Sequence, residues 1–380
     1  MYILLKKDNY IRGKMLNNKT IAVVIPAYNV DSQIKMVIDT IPAFVDRIVV
    51  VNDSSKDKTE DIVRSYLNEK NQSEVKLNSA LERIPETKFN RAEVLLIENQ
   101  KNELKKFPPS VVVNTSQDSC RIILINMKKN AGVGAAVARG LKWCKDQNID
   151  CTAVMDGDGQ MDPDELESIC RPIIDEGIDF VKGNRLIHRS AMLVIPFIRY
   201  FGNSILSILT KIASGYWHIS DTQTGYKAIS QKALYSINLW KLYKRYGYPN
   251  DLLVKLNIAF CTIKEVEIKP VYNVGEKTNM KILKVIPTIS WLLIISFFKR
   301  IWIKYFFRDF HPLFLLYNLG FFLGALAIPY LYKIVVIIIF NIDTHSSVLI
   351  PLMFLSISSF QAILFAMLMD IQDNERLYKS

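Results

Sequence analysis

Histidine and cysteine are scarce in this sequence and badly spaced for chemistry. The four histidines, His188, His218, His311 and His345, make no H-E-x-x-H, and the five cysteines, Cys120, Cys144, Cys151, Cys170 and Cys261, form no C-x-x-C pair. Neither a zinc site nor a full disulfide framework is indicated, and the odd thiol count fits a reducing cytosol. No G-x-S-x-G is present, so a serine hydrolase has no foothold. The G-x-G-x-x-G of dinucleotide-binding folds is incomplete, because Val137 takes the final place after Gly132 and Gly134. There is no internal repeat of solenoid or propeller period and no low-complexity tract. The amino-terminal MYILLKKDNYIRGKML has too short an apolar run for a secretory segment and no small-residue cleavage site, so the catalytic part is expected to stay inside.

What the chain has in excess is positive charge: 48 Lys and Arg against 37 Asp and Glu, a net +11. No basic helix or aromatic RNA-binding signature accompanies it, so no nucleic-acid partner is expected. Much of the charge lies beside apolar stretches, which points to anionic lipid.

Residues 1–275 mix charged and apolar positions as a soluble domain does. Ile21–Pro26 and Arg47–Val51 read as buried strands, each ending in a polar turn, with helices following at Asp31–Ile41 and Thr59–Leu67. Further strands are expected at Arg121–Asn126 and Cys151–Met155, separated by the glycine-opened helix AGVGAAVARGLKWC. Strands alternating with helices predict an α/β domain with a parallel sheet, whose ligands gather at the carboxyl ends of the strands. Residues 70–119, polar and interrupted by Pro85, Pro108 and Pro109, read as an insertion.

The carboxyl-terminal part is different. Leu313–Phe340 and Val348–Met369 are each longer than the ~20 apolar residues a membrane span needs. Lys299, Arg300, Lys304 and Arg308 precede the pair, Arg376 and Lys379 follow it, and the connector Asn341–Ser347 has no Lys or Arg. That asymmetry predicts a two-helix transmembrane hairpin of a multi-pass cell-membrane protein, with both termini and the catalytic domain cytoplasmic. Upstream, Met280–Phe307 interleaves lysine and arginine with Trp291, Phe297, Phe298, Trp302 and Phe306, the composition of helices lying along a membrane surface. A short third span at Val285–Phe298 is the alternative. The expected division is a flexible amino terminus at 1–19, a catalytic domain at 20–275, interfacial helices at 276–311, the hairpin at 312–371 and a tail at 372–380.

Asp156, Asp158 and Gln160 alternate directly after a strand, a pattern suited to a divalent cation that keeps positions open for substrate phosphates. A calcium loop of the EF-hand kind is rejected, because Met161 stands where its glycine is needed. Asp162 and Asp164, flanking Pro163, read as a helix start. Asp53, after the second strand, is placed to accept hydrogen bonds from a nucleotide; the alternative reading of its turn is helix capping, by Ser55 or Asp57. Gly132 opens a tight turn into a helix, which would supply backbone N–H groups near a phosphate.

Taken in order, VVIPAYN, VNDSSKD, KKNAGVGAA, MDGDGQMDP, KGNRL and DTQTGYKA resemble the motif series of family 2 glycosyltransferases over about residues 20–275. With the carboxyl-terminal anchor, the chain is most similar to the polyprenyl-phosphate glycosyltransferases, including dolichol-phosphate mannose synthases. That resemblance implies a GT-A fold, inversion at the anomeric carbon, and a UDP- or GDP-sugar donor. It further implies that Pro26, Tyr28, Asn29 and Asp53 bind the nucleotide, and that Asp156, Asp158 and Gln160 hold Mg2+ or Mn2+ and the diphosphate. Arg185 and Lys227 match basic positions that meet the acceptor phosphate, with Asp221 and Gln223 shaping that pocket. Asp251 corresponds to a later acidic position, and Asp158 or Asp251 is the candidate general base.

Two departures bear on function. The chain has PAYNV where the family often has PTYNE, which weakens any assignment of the nucleotide. It also lacks the Q-x-x-R-W of processive polysaccharide synthases, which favours transfer of one sugar. The expected acceptor is a polyprenyl phosphate; a hydroxyl on a glycolipid or surface polysaccharide precursor, and a catalytically inactive membrane scaffold, are the competing readings. Self-association as a homo-oligomer is left open.

Overall fold

A computed structural model of the chain describes residues 16–67, 73, 77, 84–115, 117, 119–195, 197–271, 282–340 and 346–379. Most of the expected 1–19 segment therefore lies outside the described residues. The apolar runs read as strands are strands, because β-branched residues with no polar interruption suit a sheet covered on both faces. They are β1 (Ile21–Ala27), β2 (Arg47–Asn52), β4 (Ile122–Met127) and β5 (Cys151–Val154). The helices between them are α1 (Asp31–Thr40), α2 (Thr59–Arg64) and α4 (Val133–Asp146). Within the insertion lie α3 (Arg91–Glu103) and a short strand, β3 (Ser110–Val112). The domain continues through α5 (Leu166–Asp175), β6 (Phe180–Asn184), α6 (Ala191–Val194), α7 (Phe197–Ser214), β7 (Lys227–Ser230), α8 (Gln231–Ser236), α9 (Tyr248–Ile258) and β8 (Ile263–Glu267).

The eight strands form one sheet in the order β3-β4-β2-β1-β5-β7-β6-β8. It is mixed, which corrects the expectation of a parallel sheet: β7 runs antiparallel to both β5 and β6, and β3 runs antiparallel to β4. The βαβ pattern holds only as far as β5. The register sets Lys227, the first residue of β7, opposite both Val154 and Lys182. The segment before β7 is thereby delivered to the carboxyl end of β5, where the acidic loop begins. Apolar clusters cover both faces of the sheet, one beneath α4 and α9 and one beneath α1 and α5.

The insertion is stitched to the domain by buried charge. Lys145 contacts Glu103 at 3.1 Å, and Lys142 donates to the Gln100 carbonyl at 3.0 Å while pairing with Asp146.

Beyond β8 come α10 (Ile282–Trp302), a π-helical turn over Ile303–Arg308, α11 (Pro312–Phe340) and α12 (Ser346–Glu375). The buried face of α10, with Ile289, Leu293, Phe297 and Ile301, packs with Ala213 of α7 and Val254 of α9. Its other face exposes Trp291, Ile294, Ile295 and Phe298, and the adjacent α7 exposes Ile205, Ile208 and Leu209. Nothing in the sequence pattern of α7 pointed to an exposed apolar face there.

The helices α11 and α12 have mean hydropathies of 2.2 and 2.1 over their most apolar windows and are long enough to cross a membrane. Only 6% and 11% of those windows is buried, so the core hairpin of a soluble protein is a poor description. The two pack through small residues, with Ser359 Oγ donating to the Gly320 carbonyl at 2.8 Å. The hairpin also returns to the domain it left: after α12, Leu377 and Lys379 exchange backbone hydrogen bonds of 2.7 and 2.8 Å with Ile263 of β8. Both ends of the hairpin therefore lie at the catalytic domain.

Candidate active site

The chain leaves the sheet at Asp156, just after the Met155 N–H donates to the Val24 carbonyl at 3.0 Å. Asp156 Oδ1 is buried and has no hydrogen-bond partner. Burial and the neighbouring Asp158 charge push the Asp156 carboxyl up to about 6, against the pull of Lys227, Arg185 and Lys182. Asp158 folds the loop back by accepting from the Gln160 N–H at 3.0 Å. Asp162 caps the following turn, its Oδ1 accepting from the Asp164 N–H at 3.0 Å, as a helix start requires.

Two loops stand on one side of this acidic turn. Asn29 is in the left-handed region (φ 54), and its Oδ1 accepts from the Lys56 N–H at 2.8 Å while its own N–H donates to Ser55 Oγ at 3.1 Å. Pro26, exposed Tyr28 and Asn29 are thus joined to the loop containing Asp53. A Cβ added to Gly157 would lie 3.2 Å from the Pro26 carbonyl, so the acidic turn is packed on the same loop.

Asp53 itself is occupied. Its two oxygens accept from the Ala131 and Gly132 N–H groups, each at 2.8 Å. The Gly132 N–H is therefore turned inward to a carboxylate rather than open to a phosphate. The tight turn is present for a packing reason: a Cβ on Gly134 would stand 2.1 Å from the Tyr243 carbonyl.

On the other side lies the 221–227 segment. Arg185 holds Asp221 in a fork, Nε to Oδ2 at 2.8 Å and Nη2 to Oδ1 at 3.2 Å. Asp221 is fully buried; burial works against its charge, but Arg185 and then Lys182 hold its carboxyl below the usual value of 3.8. Gln223 Nε2 reaches Asn250 Oδ1 at 3.1 Å, and Asn250 Nδ2 is buried with no partner. A Cβ on Gly225 would be 2.4 Å from Asp156 Oδ2, which is how closely this segment abuts the acidic turn.

Two lysines that the motifs weight unequally lie beneath. Lys227 is almost wholly buried and donates to Tyr248 Oη at 2.9 Å. Lys182, which the motif series does not single out, donates to the Thr224 carbonyl at 2.7 Å, and burial lowers its pKa to about 8 against the pull of Asp221 and Glu265. Tyr248, Asn250 and Lys182 are the residues that motif reading missed, although each sits in or beside a recognisable motif.

Asp251 does not join them. Its Oδ2 accepts from the Tyr243 N–H at 2.8 Å and pairs with Lys255, and it lines a recess against α10. Of the two candidate general bases, Asp158 lies in the acidic turn, whereas Asp251 is engaged by Tyr243 and Lys255.

Among the described residues, no group of three or more His, Cys, Asp or Glu gathers as a metal site. Asp156 and Asp158 nonetheless fit a hard divalent cation that takes its other ligands from diphosphate and water. An orphaned carboxylate oxygen with a raised pKa is what such a site looks like without its counter-charge.

A sequence profile described as glycosyl transferase family 2 matches residues 22–80 and 76–237. The UDP-N-acetylglucosamine–dolichyl-phosphate N-acetylglucosaminyltransferase of Methanococcus voltae is 28% identical over 272 residues, 70% of this chain and 92% of that protein. The polyprenol monophosphomannose synthase of Mycolicibacterium smegmatis is 26% identical over 149 residues, 39% of this chain and 56% of that protein. A crystal structure of glucosyl-3-phosphoglycerate synthase from Mycobacterium tuberculosis, in complex with Mn2+, UDP and glucosyl-3-phosphoglycerate, is 19% identical with a TM-score of 0.44. That likeness covers 75% of this chain and 80% of the other.

Proposed function

Since this chain belongs to glycosyl transferase family 2, we propose that it moves one sugar from a nucleotide-sugar to a polyprenyl phosphate at a membrane surface. The observation that carries the reading is the meeting of Asp156, with its unpartnered buried oxygen, and the 221–227 segment at the carboxyl end of β5. Relatives named for transfer to dolichyl or polyprenyl phosphate support the acceptor class.

The Tyr28, Asn29 and Asp53 loops form the donor side, with exposed Tyr28 available to the nucleotide and Asp53 fixing the start of α4. Asp156 and Asp158, with Gln160 closing their turn, would hold Mg2+ or Mn2+. Such an ion supplies Lewis-acid stabilisation of charge growing on the departing diphosphate. An acceptor phosphate is already an oxyanion near neutral pH, so its oxygen attacks C1 of the sugar without proton removal, and the C1–O bond to the nucleoside diphosphate breaks. This agrees with an Asp251 that is engaged elsewhere. Attack opposite the leaving group would invert the anomeric centre.

Arg185 is fixed in orientation by Asp221 and about one-fifth exposed, so it is the cation that meets the acceptor phosphate. Lys227 is buried and acts differently, offsetting the Asp156 charge from below together with Lys182. The hairpin α11–α12 spans the bilayer, α10 lies along its surface, and the exposed Lys299 of α10 and Arg308 of the π-helical turn are on the cytoplasmic side.

Membranes containing the full chain, given a panel of nucleotide-sugars and pure polyprenyl phosphate, are expected to yield a lipid-linked monosaccharide and free nucleoside diphosphate. Mass spectrometry of extracted lipids reads the product. Product that appears only when a lipid-linked sugar hydroxyl is added would replace the phosphate acceptor by a hydroxyl. No product across the panel would sink the proposal.

A further inference from the structure

A second site lies outside the cleft, where α9 faces α10. A recess of about 200 Å³ opens there, and its wall includes Lys241, Lys255, Lys299 and Asp251 beside the apolar Leu292 and Ile295. The wall carries three lysines and one carboxylate, and Asp251 is already paired with Lys255. Among the described residues lining the recess, no second carboxylate offsets Lys241 and Lys299. Burial lowers the pKa of Lys255, Asp251 opposes that, and Lys299 and Lys241 push it further down. Like charges have therefore been gathered within range of one another with too few anions among the described residues of the wall, an arrangement that an added anion would stabilise.

The apolar wall says what kind of anion. Ile295 is about half exposed and continues onto the face of α10 that carries Trp291, Ile294 and Phe298. At the rim, Trp240 is flanked by Lys106 and Lys241, whose ammonium nitrogens lie 4.9 and 4.8 Å from the ring centre. A free inorganic anion has no use for the apolar wall; a lipid, charged at one end and apolar at the other, matches both.

We propose that this recess binds the phosphate headgroup of an anionic membrane phospholipid, with the acyl chains laid along the exposed face of α10. The site is separate from the transfer cleft and rests only on the reading that the hairpin sits in a bilayer. Its occupant would fill the gap between α9 and α10, fixing the height of the catalytic domain over the membrane.

The test uses the purified full chain in nanodiscs of phosphatidylcholine mixed with phosphatidylglycerol, and native mass spectrometry of the lipids retained. Wild type is expected to retain phosphatidylglycerol preferentially, and Lys241→Gln/Lys299→Gln to lose that preference about tenfold with transfer to polyprenyl phosphate maintained. Lys88→Gln/Lys101→Gln, equal in charge removed but placed on the insertion, should keep the preference. Equal retention by Lys241→Gln/Lys299→Gln and wild type would overturn the proposal, as would equal loss in both double variants. Displacement of phosphatidylglycerol by inorganic phosphate alone would overturn the lipid assignment. Displacement by polyprenyl phosphate, with transfer lost in Lys241→Gln/Lys299→Gln, would make the recess the acceptor site. Carbonate extraction separates these failures from that of the membrane reading, because a chain released from vesicles lacks the bilayer on which the site depends.

Discussion

Two buried polar clusters in this molecule are built from the same residue types and end in opposite states. At the junction of domain and hairpin, Arg300 forks onto Asp370 at 2.7 and 2.8 Å and donates to the Ala213 and Ile212 carbonyls at 2.9 and 3.1 Å. Lys304 pairs with Asp373 at 3.0 Å and donates to Asn374 Oδ1 at 2.6 Å, and Asn257 Nδ2 reaches the same Asn374 oxygen at 2.7 Å. Tyr305 Oη stands 2.8 Å from Asp370 and 2.9 Å from Asp373. In the cleft, by contrast, Asp156 Oδ1 and Asn250 Nδ2 have no partner, and Lys227 relies on a tyrosine hydroxyl.

A network in which every charged member is paired with an opposite charge fixes geometry. An unsaturated one keeps a cost that only a ligand removes. The first cluster is therefore a joint, setting α10 and α12 against α7 and α9, and the second is a site. Sequence alone does not separate them, since both are acids and bases embedded in apolar surroundings.

The comparison breaks first at its strongest bond. Asp370→Ala leaves Arg300 buried without its counter-charge and should lower the stability of the purified chain by ~3–5 kcal/mol, read as detergent-state unfolding. An unchanged midpoint would mean the joint is decorative. Asp156→Asn should do the reverse: transfer falls by ~100–1,000-fold, as when a charge-stabilising group is removed, while the unfolding midpoint holds or rises. A large loss of stability in that variant would make Asp156 structural.

Gly225→Ala tests the contact between the two halves of the cleft. The added Cβ has 2.4 Å to Asp156 Oδ2, so something must shift; overpacking of this kind costs ~1–3 kcal/mol, and transfer should drop more than donor binding does. Calorimetric donor affinity and turnover separate the two effects.

The smallest effect is in pH. Burial puts the folded pKa of Lys182 near 8, against 10.5 for an ordinary lysine. Between those values the unfolded chain binds more protons, so this group makes stability rise with pH across that window and leaves it flat below. Lys182→Met should remove that rise from a series of unfolding curves; an identical slope would show that Lys182 is not desolvated. At the acid end the slope has the same sign, because there too the unfolded chain binds more protons. The lowered pKa of Asp221 contributes stability above 3.8 that is lost as pH falls through the depressed value, and Asp221→Asn should flatten that limb.

Much of the frame was legible beforehand. β-branched runs gave β1, β2, β4 and β5 within a residue or two, and the length of the apolar stretches gave α11 and α12. These are local properties: a strand covered on both faces and a helix that meets lipid each need a particular run of side chains, whatever lies elsewhere. The order of the motifs likewise placed donor loops, acidic turn and basic segment on one chain. The direction of β7 was not legible, because four residues reading KAIS are equally good in either sense.

Local sequence therefore determined which segments are strands, which helices are apolar all round, and which acids and bases are candidates for chemistry. Tertiary structure decided the rest. Antiparallel β7 brought Gly225 against Asp156, the packing of α9 on α10 took Asp251 out of the cleft, and Arg300 met Asp370 across seventy positions. The reason is that hydrophobic pattern is set by neighbours along the chain, whereas the partner of a buried charge is set by which surfaces pack together.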